Sequence, residues 1–121
     1  MGSKSLLDLL CDEDIGTGVP TALNAVGYRA NSLVRLRWGG RPDVEWLAWA
    51  GQRGLLVLSC NKKMLLVPDE RDTIIRENVG IVFLNNGEEH PARVLKLLLN
   101  KWNDLELLDQ SEPRPLRNFF Q

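Results

Sequence analysis

The sequence predicts an α/β sandwich of three layers with a mainly parallel central sheet, and three observations carry that expectation. Short apolar runs of strand length alternate with amphipathic stretches of helical length. Polar residues follow directly on two of the apolar runs, as they do where buried strands open into loops. Glycine or proline punctuates most changes of pattern.

Leu6 to Cys11 is apolar apart from Asp8 and gives way to Asp12-Glu13-Asp14 and Gly16-Thr17-Gly18, so it reads as a buried strand ending in a polar loop. Pro20 suits a first helical turn, with Ala22, Leu23 and Val26 on one face and Gly27 at its end. Tyr28 to Leu36 is a weaker second strand, and Trp38-Gly39-Gly40-Arg41-Pro42 a loop. Asp43 stands where a capping residue belongs, ahead of a helix through Gln52 with Gly54 just beyond it. Trp46, Leu47 and Ala50 form its buried face, and Asp43 shares that face. Leu55 to Leu58 is a core strand that ends in Ser59-Cys60-Asn61-Lys62-Lys63.

Asp69 to Asn78 reads as a charged surface helix closed by Gly80, Ile81 to Leu84 as a short buried strand, and Asn85-Asn86-Gly87 as a turn. Pro91 opens the strongest helix, with Val94, Leu95, Leu98 and Trp102 at helical spacing and a continuation to Leu105. Ser111-Glu112-Pro113-Arg114-Pro115 breaks the pattern, after which Leu116 to Phe120 either docks as an edge strand or stays mobile. Without a repeat or a boundary signal, residues 1–121 are expected to form one domain with a tail from about residue 110.

Composition narrows the classes. At 121 residues, 44% apolar and 26% charged, the chain suits a core that buries about two-thirds of its unfolded surface, and intrinsic disorder and fibrous repeats are excluded. Fifteen Lys and Arg against sixteen Asp and Glu give a net charge of −1, so polyanion binding requires a local patch. The apolar runs fall far short of the ~20 residues of a membrane-spanning helix. Met1-Gly2-Ser3-Lys4 lacks the features of a secretory signal, so the expectation is a soluble cytoplasmic protein with Cys11 and Cys60 as reduced thiols. One His and two Cys do not fill a structural zinc site without acidic ligands.

In parallel sheets, sites form beyond the C-terminal ends of the strands, where strand order reverses. Asp12, Glu13, Asp14, Ser59, Cys60 and Asn61 should therefore collect. Carboxylates held close together repel, and a fold that gathers them offsets the cost with a cation or a raised pKa. Magnesium and manganese take hard oxygen ligands and need only one or two carboxylates plus substrate phosphate. Such a site activates water and neutralises charge during phosphodiester cleavage. The plainer alternative is a solvated acidic loop with Asp43 as a helix cap.

The run Leu9-Leu10-Cys11-Asp12-Glu13-Asp14, followed by a helix ending at Gly27, resembles the opening of PIN-like domains of the VapC-type toxin ribonuclease superfamily. Asp43-Val44-Glu45-Trp46-Leu47-Ala48-Trp49-Ala50, then Gly54 and Leu56-Val57-Leu58-Ser59, is similar to that family's internal aspartate-led helix and the strand after it. The resemblance runs from about Leu6 to Trp102 through short motifs. It implies Mg²⁺ or Mn²⁺ held by Asp12, the principal ligand, and Asp43, with a further oxygen from Glu13 or Asp14. The family's Thr/Ser-x-Asp pattern is Ser59-Cys60-Asn61 here, so the implied catalytic set is Asp12, Asp43 and Asn61. An Asn carbonyl coordinates a cation without bringing charge, which lowers metal affinity. Lys62 and Lys63 either contact RNA phosphate or form a solvated turn. The implied function is a metal-dependent ribonuclease, as the toxin of a toxin–antitoxin pair with an antitoxin partner. The alternative is a catalytically inactive module that binds RNA or a protein.

Other motifs fit less well. Asp12-x-Asp14 resembles the opening of haloacid-dehalogenase-like phosphatases, but Ile15 separates it from Gly16-Thr17 and no later acidic pair follows a strand. A receiver-like phosphoacceptor domain needs an aspartate where Asn61 stands. Gly16-x-Gly18 is too short for a dinucleotide fingerprint and serves a turn. His90 reads as a helix-start surface residue, and Cys60 has no His partner in the sequence pattern to make it a nucleophile. Trp46 fits the core, whereas Trp38, Trp49 and Trp102 are not easily all buried. An exposed tryptophan would anchor a homodimer or another protein, or else lie half-covered by arginine side chains.

Overall fold

The computed structural model describes residues 7–38, 40–84, 90–111 and 113–120, with side chains described as far as Pro115. The expected turn at Asn85-Asn86-Gly87 lies outside these residues. Five strands, β1 (Leu9–Cys11), β2 (Ala30–Ser32), β3 (Leu56–Ser59), β4 (Gly80–Leu84) and β5 (Leu116–Phe120), form one sheet in the order β2-β1-β3-β4-β5. Every pairing is parallel. Parallel neighbours need crossovers, supplied here by helices α1 (Gly18–Ala25), α2 (Asp43–Gln52), α3 (Pro68–Arg76) and α4 (Pro91–Ser111).

The strands β1, β3 and β4 are apolar throughout because both faces of the sheet are covered. Successive side chains alternate between two cores. Leu9, Cys11, Leu56, Leu58, Val82 and Leu84 face Val19 and Leu23 of α1 and Val94, Leu98, Trp102 and Leu105 of α4. Leu10, Val57, Ile81 and Phe83 face Trp46, Leu47 and Ala50 of α2 and Ile74 of α3. The result is the expected three-layer α/β sandwich, its sheet wholly parallel. Among the described residues no helix is long and apolar enough to cross a membrane.

Several boundaries differ from the sequence expectation for physical reasons. The second strand contracts to β2 because Leu33 to Arg37 turns back, with Arg37 at φ 63° and the Trp38 N–H donating to Leu33 O at 2.8 Å. Gly80 does not close α3; it begins β4, and Asn78 at φ 56° makes the turn out of the helix. A Cβ on Gly80 would stand 2.7 Å from the Arg114 guanidinium. Arg114 is fixed there by donating to Leu55 O at 2.8 Å and by an ion pair with Asp109, and it leads directly into β5. The helix α4 continues to Ser111, with Leu108 packed against the first core.

Helices α2 and α3 cross closely at Gly51, where an added Cβ would lie 2.3 Å from the Glu77 carbonyl oxygen. Gly51→Ala should therefore destabilise the protein by about 1–3 kcal/mol, even though alanine is favoured over glycine by about 1 kcal/mol in a helix. Urea denaturation with an unchanged m-value checks this; equal or greater stability of the variant would mean the helices part without cost.

Candidate functional site

The strand order reverses between β1 and β3, since the chain passes from β1 to one neighbour and then to the other. Asp12 is the residue immediately after β1 and Ser59 the last of β3. The register Cys11↔Leu58 sets these two side by side, and the Asp12 N–H continues the ladder to Leu58 O at 2.9 Å. Asp12 is only 8% exposed. Its Oδ1 accepts from the Glu13 N–H at 2.7 Å and its Oδ2 from Ser59 Oγ at 2.8 Å. Ser59 Oγ in turn accepts from the Asn61 N–H at 3.0 Å, which leaves its single proton for Asp12. Burial raises the Asp12 pKa; the hydrogen bonds from Ser59 and Glu13 oppose that rise, and the charges of Asp43 and Glu13 add to it.

Asp43 is the first residue of α2 and does not cap it, because Pro42 occupies the capping position. Its Oδ1 instead accepts from the indole N–H of fully buried Trp46 at 3.0 Å, one turn along the same face. The charge of Asp43 reaches both Asp12 and a third carboxyl, that of Glu70 in the first turn of α3. The pKa of Glu70 is raised by burial first, then by the charge of Asp43 and a side-chain hydrogen bond with it, and further by the charges of Asp12 and Asp69. Asp12, Asp43 and Glu70 thus form an electrostatically coupled cluster.

Glu70 is absent from the sequence expectation, which assigns its segment to a charged surface helix. A usable signal is the repetition of Pro42-Asp43 in Pro68-Asp69-Glu70, since both helices open with proline and acid after a polar strand end or loop.

The remaining expected residues are placed around this cluster in different ways. Glu13 is exposed and its Oε1 accepts from the Gly40 N–H at 3.2 Å, tying the loop before α2 to the segment after β1. Asp14 Oδ2 accepts from the Cys60 N–H at 3.0 Å, joining the two strand ends a second time. Asn61 is partly exposed and precedes a 3-10 turn over Lys62–Leu66 without capping it by its side chain. Lys62 and Lys63 are exposed in that turn. Cys60 packs against the first core, and Gly16, at φ 79°, makes the turn into α1. His90 is exposed, with its carbonyl accepting from Arg93 and Val94 at the start of α4.

Among the described residues, no group of three or more His, Cys, Asp or Glu side chains is gathered tightly enough to hold a metal ion as it stands. Chemically, the cluster nevertheless suits a hard divalent cation. Each oxygen of Asp12 has one hydrogen-bond donor and retains acceptor capacity. The mutual repulsion of the three carboxyls is the kind of cost that a cation offsets, and magnesium needs only one or two of them.

Glu70 keeps its proton to a higher pH in the folded protein than in the unfolded chain. Between the two pKa values the folded state binds more protons, so this contribution to stability falls as pH rises through that window. Glu70→Gln removes the charge and can still donate to Asp43. Its thermal midpoint should exceed that of the unsubstituted protein at neutral pH, and the gap should close towards about pH 4, where glutamate is protonated. A gap that stays constant with pH would detach Glu70 from the cluster.

A family model described as a PIN like domain matches residues 8–86, the span from just before β1 to just beyond β4. No curated protein matches the chain, and no solved structure does. The match covers well over half of the sequence and includes Asp12, Asp43, Ser59, Asn61 and Glu70. With its parallel sheet and the acidic residues at the strand switch, the chain belongs to the PIN-like domain family.

Proposed function

We propose that the chain is a metal-dependent ribonuclease whose centre is the cluster of Asp12, Asp43 and Glu70. The observation that carries this reading is the coupling of three carboxyls at the switch point of a PIN-like sheet, one of them buried and held by two hydrogen bonds. Mg²⁺ or Mn²⁺, held by Asp12 and Asp43 with Glu70 beside them, would lower the pKa of a bound water and neutralise charge on the scissile phosphate.

The chain's own residues have separable tasks in this reading. Ser59 and the Glu13 N–H orient Asp12, and Trp46 orients Asp43. Glu70 keeps its proton against Asp43 to a higher pH than an isolated glutamate does, which eases the repulsion within the cluster until a cation takes the proton's place. Glu13 and Asp14 each commit an oxygen to a backbone N–H, so their part is to hold the loops around the cluster. Asn61 would add a neutral oxygen, and Lys62 and Lys63 would meet phosphate beyond it.

One observation favours a second reading. Asn61 stands where an acid is expected, and the carboxyls are not pre-assembled into a tight ligand group, as suits a catalytically inactive module that binds RNA or a protein. A toxin role, with an antitoxin partner and a VapC-like homodimer, extends the first reading. It predicts that expression arrests growth and that Asp12→Asn relieves the arrest.

Purified protein should cut single-stranded RNA when manganese or magnesium is supplied, and Asp12→Asn should abolish cutting. Ser59→Ala should lower the rate by about 10–100-fold, the usual cost of removing a group that orients a metal ligand. Asn61→Asp should tighten cation binding measured by calorimetry. Cutting that survives Asp12→Asn, or RNA bound without any metal-dependent cutting, would overturn the enzymatic reading.

A further inference from the structure

Two of the four tryptophans do not belong to the interior of either core. Trp38, in the loop between β2 and α2, and Trp49, on the side of α2, rest against the second core with their outer parts half-exposed. Their ring centroids are 5.7 Å apart at an interplanar angle of 38°. The Arg41 guanidinium lies over Trp38 at 4.7 Å from the ring centroid, and that of Arg53 over Trp49 at 5.1 Å. The four side chains form a continuous row in the order Arg41, Trp38, Trp49, Arg53. Both arginines are exposed; Arg41 also meets Glu45 at 3.7 Å, a solvent-facing pair of little strength.

The row begins beside the acidic cluster. The Gly40 N–H donates to Glu13 Oε1, which fixes the loop of Trp38 and Arg41 next to the residue that follows Asp12. From Asp43 at the start of α2, Trp49 is about 9 Å and Arg53 about 15 Å along the helix, by the rise of 1.5 Å per residue. The row therefore leads away from the cluster along one side of the molecule.

We propose that Arg41, Trp38, Trp49 and Arg53 form a docking surface for single-stranded RNA, which leads the strand to the acidic cluster. The choice of RNA rests on the ribonuclease reading; the surface rests on its own chemistry. Planar rings and guanidinium groups are the side chains on which unpaired bases stack, whatever their sequence. A guanidinium held over a ring keeps its N–H edge available for a phosphate oxygen. The net charge of −1 and the carboxyl cluster both oppose a polyanion, so a local cationic row supplies the attraction that the molecule as a whole lacks.

Fluorescence polarisation with a labelled single-stranded RNA of about a dozen nucleotides, with EDTA present to prevent cutting, tests the proposal. Arg41→Gln with Arg53→Gln should weaken binding about tenfold and reduce the slope of log K against log salt by about 1.4, or about 0.7 for each phosphate no longer neutralised. Because both arginines are exposed, the thermal midpoint should fall by no more than the loss of two exposed cation–π contacts entails, so the fold is retained. Trp49→Leu should weaken binding with the salt slope unaltered, and RNA should quench the tryptophan emission of the unsubstituted protein.

Equal binding by the double arginine variant and the unsubstituted protein would overturn the proposal, as would a dimer seen by sedimentation that the variant abolishes. The two readings fail separately. Metal-dependent cutting with RNA affinity indifferent to the arginines would leave the ribonuclease and remove the surface. RNA affinity that depends on the arginines, without cutting under any cation, would leave the surface and remove the ribonuclease.

Discussion

The hydrogen bond from Ser59 Oγ to Asp12 Oδ2 joins the ends of two neighbouring parallel strands, and the arrangement of the site follows from it. A carboxylate only 8% exposed, with other carboxyls nearby, drifts towards its neutral form unless donors compensate. Ser59 is a dependable donor because its oxygen already accepts from the Asn61 N–H, so its one proton has a fixed direction. This depends on register. A shift of β3 by one residue would turn Ser59 to the other face of the sheet and bring Leu58 or Cys60 opposite Asp12.

The second constraint comes from the packing of the two helices on the other side of Asp12. Gly51 of α2 lies against the backbone at Glu77, just past α3, and this close approach fixes how the two helices sit together. Asp43 and Glu70 are in the first turns of those helices, so a contact near their C-terminal ends helps to set the relation of two carboxyls at their N-terminal ends. Each N-terminus also favours negative charge through its unpaired N–H groups and helix dipole. The clustering of acids is thus partly offset by where the acids stand.

Strands buried on both faces were readable as continuous apolar runs, and the polar residues after β1 and β3 marked the edge of the sheet at which the cluster forms. Asp43 was readable too, because it falls on the same helical face as Trp46, Leu47 and Ala50. Its partner, the indole N–H of Trp46, was not, since helical spacing brings side chains together without specifying a hydrogen bond. Glu70 is not distinguishable in the sequence, because a first turn rich in acids is what a solvated helix also presents, and only the tertiary approach of α2 sets it apart from Asp69. Gly80 is ambiguous in the sequence for a related reason: a glycine after a helix commonly ends it, whereas here the lack of a Cβ makes room for Arg114.

The relation between Asn61 and Glu70 bears most directly on chemistry. A neutral amide at Asn61, two residues beyond β3, brings no negative charge to that strand edge, and on that basis alone the cation affinity of the edge should be low. Glu70 arrives from the next helix, and its charge is coupled to both Asp43 and Asp12. By charge count it makes up for the carboxylate that Asn61 does not bring. The two positions are not equivalent, because Glu70 shares a hydrogen bond with Asp43 and holds its proton to a higher pH than an isolated glutamate does. A cation bound at such a cluster would displace that proton, so its affinity would rise with pH across the range in which Glu70 ionises, a range that lies higher than it would for three free carboxylates.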